Sequence, residues 1–189
     1  METFDTIKER RSVRGFSEEK QIADDKVEKI IESAFFAPLA LNKVCWRLAV
    51  VQDKKLIDEM VADIIDFLNV KPSEHVKMRL AMPKFSPFYH APTVIFVMGD
   101  KENEYTGSNC GAAIQNMLLC AKDMGIDSCW IGMANKFLKS GGGEKYMKIL
   151  GCPAGYEIIG AVALGYGNVN VPMPNKHFEE KDEIVKFIK

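Results

Sequence analysis

"GSNCGAAIQNMLLCAKDMG" (residues 107–125) is apolar on nearly every side as far as Lys122. Its length suits a helix, and a helix without a polar face belongs in the middle of a fold. Gly125 supplies the stop. The most apolar part, "CGAAIQNMLLCA", is too short to cross a membrane and is interrupted by Gln115 and Asn116. A buried central helix sets the problem for the remaining segments, which must surround it.

Two strand-like runs flank this helix, "TVIFVM" (93–98) before it and "SCWIGM" (128–133) after it. "WRLAVV" (46–51), "YEIIGAVALG" (156–165) and "EIVKFI" (183–188) share their short, β-branched character. Upstream, "DDKVEKIIESAFFA" carries Val27, Ile30, Ile31, Ala34 and Phe35 at the spacing of one helix face. Asp25 and Glu28 suggest a capping box, and Pro38 ends the helix. Another amphipathic helix follows Asp53, and shorter ones are expected near 3–11, 73–80 and 143–150. Strands and helices do not alternate as in a βαβ fold, so the pattern predicts an α+β sheet wrapped by helices. Residues 165–180 lack periodicity and contain Pro172 and Pro174. They predict an extended arm carrying the last strand toward a partner chain, in a homodimer.

The 189 residues fit one domain, 1–189, with 165–189 as its C-terminal arm. Hydrophobic residues make up 47% and charged residues 27%, the balance of a soluble globular protein. A formal net charge of -1 gives no general basic field, so nucleic acid is not an expected partner. The N-terminus "METFDTIKERR" mixes acids with bases and has no apolar segment, which excludes a secretory signal. Cytoplasmic location and no membrane attachment follow as expectations. Five cysteines without a CxxC pair suggest buried free thiols.

Several chemistries fail on spacing. "GYGNVN" (165–170) lacks the third glycine of a dinucleotide fingerprint and is read as a turn. "SGGGEK" (140–145) has no GK[ST] and is read as a flexible loop. "DSCW" (127–130) lacks the rest of a cysteine-protease segment, and the three histidines have no metal-ligand spacing. A chain without nucleophile, metal site or acid–base pair, if it is an enzyme, borrows its chemistry from a cofactor. "RRSVRGFSEEK" (10–20) stands out, with Arg10, Arg11 and Arg14 close together. Alone it fits either a solvated helix end or an anion clamp.

Four segments, in order, resemble the FMN-dependent nitroreductase family. They are "RRSVRGF" (10–16), "APLALNKVCW" (37–46), "GAAIQNMLLCAKDMGIDSCWIG" (111–132) and "ALGYGNVNVPMPNK" (163–176). The resemblance implies a mainly antiparallel sheet flanked by helices, in an intertwined homodimer with exchanged arms. Two FMN molecules would sit at its interface, with NAD(P)H as co-substrate. By the family pattern Arg10, Arg11 and Ser12 meet the phosphate and ribityl end. Arg14 lies toward the pyrimidine edge, where a cation favours added negative charge on the ring. Lys176 completes the phosphate clamp, or is a solvated lysine. Pro38, Leu39, Ala40 and Asn42 border the flavin from the other subunit. Trp130, Ile131 and Gly132 bring strand backbone alongside the ring. Gln115 and Asn116 are expected to pack at the dimer interface.

The chain departs from the family pattern at Val44 and Cys45, where Gln-Pro is usual, and at Leu39, which replaces a small residue. The implied activity is hydride transfer from NAD(P)H through FMN to a nitroaromatic or quinone-type acceptor. The alternatives are an FMN storage or sensor protein without efficient turnover, and a non-flavin interaction module.

Overall fold

β2 (Thr93–Asp100) lies inside a four-stranded sheet of order β1-β2-β4-β3, with β1 (Trp46–Val51), β3 (Asp127–Ile131) and β4 (Tyr156–Gly165). Every pairing is antiparallel. The computed structural model describes residues 2–169 and 184–188. The apolar run of β2 is explained by helices on both faces. Val94, Phe96 and Met98 point into one core with Ile57, Met60 and Ile64 of α3 (Lys54–Val70). Ile95 and Val97 point into the other, with Ile30 of α2 (Asp24–Phe35) and Ile114 and Met117 of α5 (Thr106–Asp123). α1 (Thr3–Glu9) and α4 (Glu74–Leu80) complete the helices that precede β2. α6 (Asn135–Leu138) and α7 (Glu144–Ile149) fall between β3 and β4.

α5 ends as its sequence requires. Gly125 takes a φ of 73°, Ile126 N–H donates to Ala121 O at 2.8 Å and Gly125 N–H to Lys122 O at 3.1 Å. This is a Schellman stop. Asp53 caps α3 through Oδ1, which accepts from Lys55 and Leu56 N–H.

Several expectations are corrected. The Asp25–Glu28 capping box does not form, because α2 begins at Asp24 and its cap, Ala23, offers no side-chain acceptor. α5 is not enclosed within the chain. Cys110, Ala113, Ile114, Met117, Leu118 and Ala121 are buried, whereas Gly111, Gln115 and Leu119 on the other side are only half-buried. Residues 141–143 form a 3-10 turn rather than a flexible loop. α6 is an element that the sequence pattern did not announce. Of the strand expected over 183–188, residues 185–188 carry no strand within this chain.

Candidate functional site

The arginine-rich segment leaves α1 at Arg10, whose ψ of 137° is extended rather than helical. From there it runs along the outer edge of β3. Ser12 bridges Ser128 in parallel, and Val13 N–H donates to Ser128 O at 3.0 Å. Phe16 then pairs with Gly167, and its N–H donates to Tyr89 O at 3.1 Å. Val13 and Phe16 are buried anchors, which leaves Arg10, Arg11, Ser12 and Arg14 half-buried or exposed. At Gly15 a Cβ would lie 2.7 Å from Val169 Cγ1, so a larger residue there would have to displace that side chain.

The three arginines differ in what they touch. Arg11 folds back on its helix, Nη1 donating to Lys8 O at 2.6 Å and Arg10 O at 2.7 Å. It therefore performs the helix-end task that the sequence also allowed. Arg14 makes one long bond, Nη1 to Ser12 O at 3.3 Å. Among the described residues no hydrogen bond or ion pair engages the Arg10 guanidinium. Arg10 and Arg11 line a cavity of about 160 Å³ that Lys122 and Ser128 also border, together with the carboxylates of Glu9, beside Lys122, and Asp127, which accepts from Gly167 N–H.

β3 meets this segment with alternating sides. Cys129 and Ile131 are buried, while Trp130 is 43% exposed. The indole rests on Gly160, where a Cβ would come 2.6 Å from its Nε1, and reaches toward Gly111 of α5. Gly132 follows with open space around its Cα. Burial pushes the Cys129 thiol up, and the Arg14, Arg10 and Arg79 guanidinium groups oppose that. Arg79 thus joins Arg10 and Arg14 among the charges that act on Cys129 of β3. Arg79, at the end of α4, is a residue that sequence reasoning missed. Its single signal was a second cation, after Lys77, in the last turn of a short helix.

Pro38, Leu39, Ala40 and Asn42 lie elsewhere. Ala40 N–H donates to the buried Asn109 Oδ1 at 3.1 Å, and Asn109 Nδ2 donates to Cys45 Sγ at 3.2 Å. Asn109 is in the first turns of α5, whereas Lys122, beside Glu9 at 3.5 Å, is in the last. At about 1.5 Å per residue the two positions are about 20 Å apart. Within one chain the structure therefore brings residues 12–13 to Ser128 at the start of β3 and holds 38–42 at the other end of α5, the end toward which Trp130 reaches. Leu41 and Asn42 hold φ values of 58° and 50°, left-handed conformations that cost non-glycine residues free energy. Lys176 lies outside the described residues. Asn116 donates to Ser33 O at 3.1 Å, and Gln115 sits half-buried on the open side of α5.

Among the described residues no cluster of His, Cys, Asp or Glu could hold a metal ion, and the cysteines are free thiols. No described helix is long and apolar enough to cross a membrane.

Comparison with known proteins adds an independent line. The model of the nitroreductase family matches residues 7–166. A relative from Archaeoglobus fulgidus, which carries an NADH dehydrogenase/NAD(P)H nitroreductase name, is 31% identical over 96% of this chain and 92% of its own. A crystal structure of a nitroreductase with bound FMN from Desulfitobacterium hafniense is 30% identical, with a TM-score of 0.90 over 100% of this chain and 99% of that one. Another, from Bacteroides fragilis and also with bound FMN, is 28% identical with a TM-score of 0.88 over all of both chains.

Proposed function

The chain belongs to the nitroreductase family, and on that premise we propose that it is an FMN-dependent NAD(P)H oxidoreductase that works as a homodimer. The observation that carries this is the bridge from Ser12 to Ser128, which sets Arg10, Arg11 and Arg14 at the start of the same strand that continues to the exposed Trp130 and to Gly132. These features fit FMN. A phosphate dianion needs cationic fork donors, and among the described residues the Arg10 guanidinium is unengaged, while the neighbouring Glu9 and Asp127 are taken up by Lys122 and by Gly167 N–H. A flat ring needs a strand edge without protruding side chains, and Gly132 leaves that space.

Arg10 and Ser12 hold the phosphate and ribityl end, joined by Arg11 when it releases its carbonyls and by Lys176 from the arm. Arg14 places positive charge at the pyrimidine edge. Trp130, Ile131 and Gly132 align the ring along β3. Bound FMN supplies hydride acceptance and electron release, so the chain itself need only bind, orient and exclude water. No general acid or base is required, in keeping with the lack of such a pair in the sequence. The acceptor is a nitroaromatic or a quinone-type compound.

The second copy supplies what one chain keeps apart. The half-buried side of α5 and the exposed Phe4, Ile7, Phe35, Phe36 and Leu41 leave apolar surface that a second copy would cover. Two such helices side by side and antiparallel would bring the partner subunit's Pro38, Leu39, Ala40 and Asn42 to the arginine end of α5.

The test is direct. The purified chain should be yellow, release FMN on denaturation, run as a dimer, and oxidise NAD(P)H when a nitroaromatic or quinone is added. A flavin-loaded protein that stays oxidised under excess NAD(P)H would reduce the assignment to FMN binding. A colourless protein that takes up no FMN would remove it.

A further inference from the structure

The loop between α2 and β1 is exposed, strained and anchored through one side chain. Pro38 and residues 41–44 lie open at the surface, with Leu41 80% exposed. Leu41 and Asn42 keep left-handed backbone. Inside the loop, Asn42 N–H donates to Leu39 O at 3.1 Å and Lys43 N–H to Ala40 O at 3.4 Å. Among the described residues a single hydrogen bond joins residues 38–44 to the rest of the fold, from Ala40 N–H to Asn109 Oδ1 at 3.1 Å. The same amide reaches the far end of the loop through Nδ2, which donates to Cys45 Sγ at 3.2 Å.

Asn109 is suited to that task. It is 3% exposed, and both ends of its amide are spent on the loop. Its neighbours on α5, Cys110 and Ala113, are fully buried, so the anchor stands on a close-packed base. Cys45 O accepts from Asp100 N–H at 2.9 Å, which fastens the end of the loop to β2. Left-handed residues persist only where their surroundings over-determine them, and a surface shaped in advance binds at lower cost. Among the described residues no hydrogen bond engages the Asn42 side chain that this shape presents.

We propose that Asn109 is a positioning residue for the flavin bound on the partner subunit: by holding Ala40 and Cys45 it sets residues 38–45 in the shape that closes the partner's site. The inference rests on the homodimeric flavoprotein assignment above and names the residue that prepares the second half of that site. Asn109 does not touch flavin. It acts through the loop and across the dimer, whereas Arg10 acts on the site of its own chain.

The experiment titrates FMN into flavin-free dimers and follows the quenching of flavin fluorescence. Asn109→Ala should weaken FMN binding about tenfold, because the bond that preorganises the loop is lost. Asn109→Asp keeps an acceptor for Ala40 N–H and should bind within about threefold of wild type. Mixed dimers of two differently tagged chains then separate positioning from simple destabilisation. With Arg10→Ala on one chain and Asn109→Ala on the other, both lesions meet at one site, and the remaining half of the sites should bind FMN as wild type does. With both substitutions on one chain and a wild-type partner, each site carries one lesion, and no site should bind as wild type. The reverse pattern overturns the proposal, because Asn109 would then act on its own chain. So do wild-type sites in neither arrangement, or an Asn109→Ala dimer with unchanged FMN affinity. Should Asn109→Ala not fold, Asn109→Ser takes its place in the same comparison. A wild-type chain that runs as a monomer or takes up no FMN removes the flavoprotein assignment and this inference together. An FMN-loaded wild-type dimer with any of the overturning results removes this inference alone.

Discussion

Replacing Arg10 by alanine isolates the anion clamp from the fold. Among the described residues the Arg10 guanidinium has no protein partner, so its loss removes no internal bond and the melting temperature without flavin should barely move. The loss falls on the phosphate. One charge-assisted hydrogen bond contributes about 1.5–3 kcal/mol, and about 1.4 kcal/mol is tenfold in affinity. Arg10→Ala should therefore raise the FMN dissociation constant by about ten- to a hundredfold. Arg11→Ala should differ in kind. Its Nη1 is committed to two carbonyls at 2.6 and 2.7 Å, so truncation loosens the end of α1 and shifts the melt, with a smaller change in FMN affinity. The assay is quenching of flavin fluorescence on titration of FMN with each flavin-free protein, paired with thermal melts. FMN affinity unchanged in Arg10→Ala, or a larger loss in Arg11→Ala than in Arg10→Ala, refutes the division of labour.

Three further outcomes follow from groups away from the arginines. Asn109→Ala leaves the Ala40 N–H and Cys45 without their shared partner, and should destabilise the protein by about 1–3 kcal/mol in urea unfolding; an unchanged midpoint would show that water replaces the amide. Burial, with Cys45 beside it, pushes the Cys110 thiol up to about 12. Alkylation of the native protein at pH 8, read by peptide mass spectrometry, should therefore label the half-exposed Cys120 and Cys152 and spare Cys110, and early labelling of Cys110 contradicts its burial. The Lys145 ammonium and the Tyr146 hydroxyl hold the Asp63 carboxyl below its ordinary value of 3.8. That contribution is present above pH 3.8 and is lost as the pH falls through the lower folded-state value. The stability gap between wild type and Asp63→Asn should thus close in strong acid, and a gap that persists there would place the effect in packing instead.

Local chemistry made much of this architecture readable before any coordinates. The bounds of α3 and the stop of α5 depend on Asp53 and Gly125, whose roles are decided within one turn of chain. The four strands were visible as apolar runs because helices cover both faces of the sheet. What escaped was decided at a distance. Nothing near Ser12 announces that it will lie beside Ser128, and nothing near Arg79 that it will approach Cys129. The expected Asp25–Glu28 cap was overridden when extended backbone at Ala23 let the helix begin two residues early. The strand over 183–188 was inferred from β-branched residues alone, which record a preference for pairing without naming the neighbour. The separation of 38–42 from the arginines is a matter of α5's length, which the sequence states and periodicity arguments do not use.

The edge contact between residues 12–16 and the end of the sheet also has a kinetic side. Phe16 O accepts from Asn168 Nδ2, a residue 152 positions later in the chain. Closing a loop of that size is slow, and such contacts form late in folding. The sheet, α3 and α5 can condense first, and the N-terminal strip then zips on as a final step. Because that strip carries the arginines proposed to hold FMN, cofactor capacity would arrive last, and flavin depletion should expose first the segment that was laid down first in synthesis.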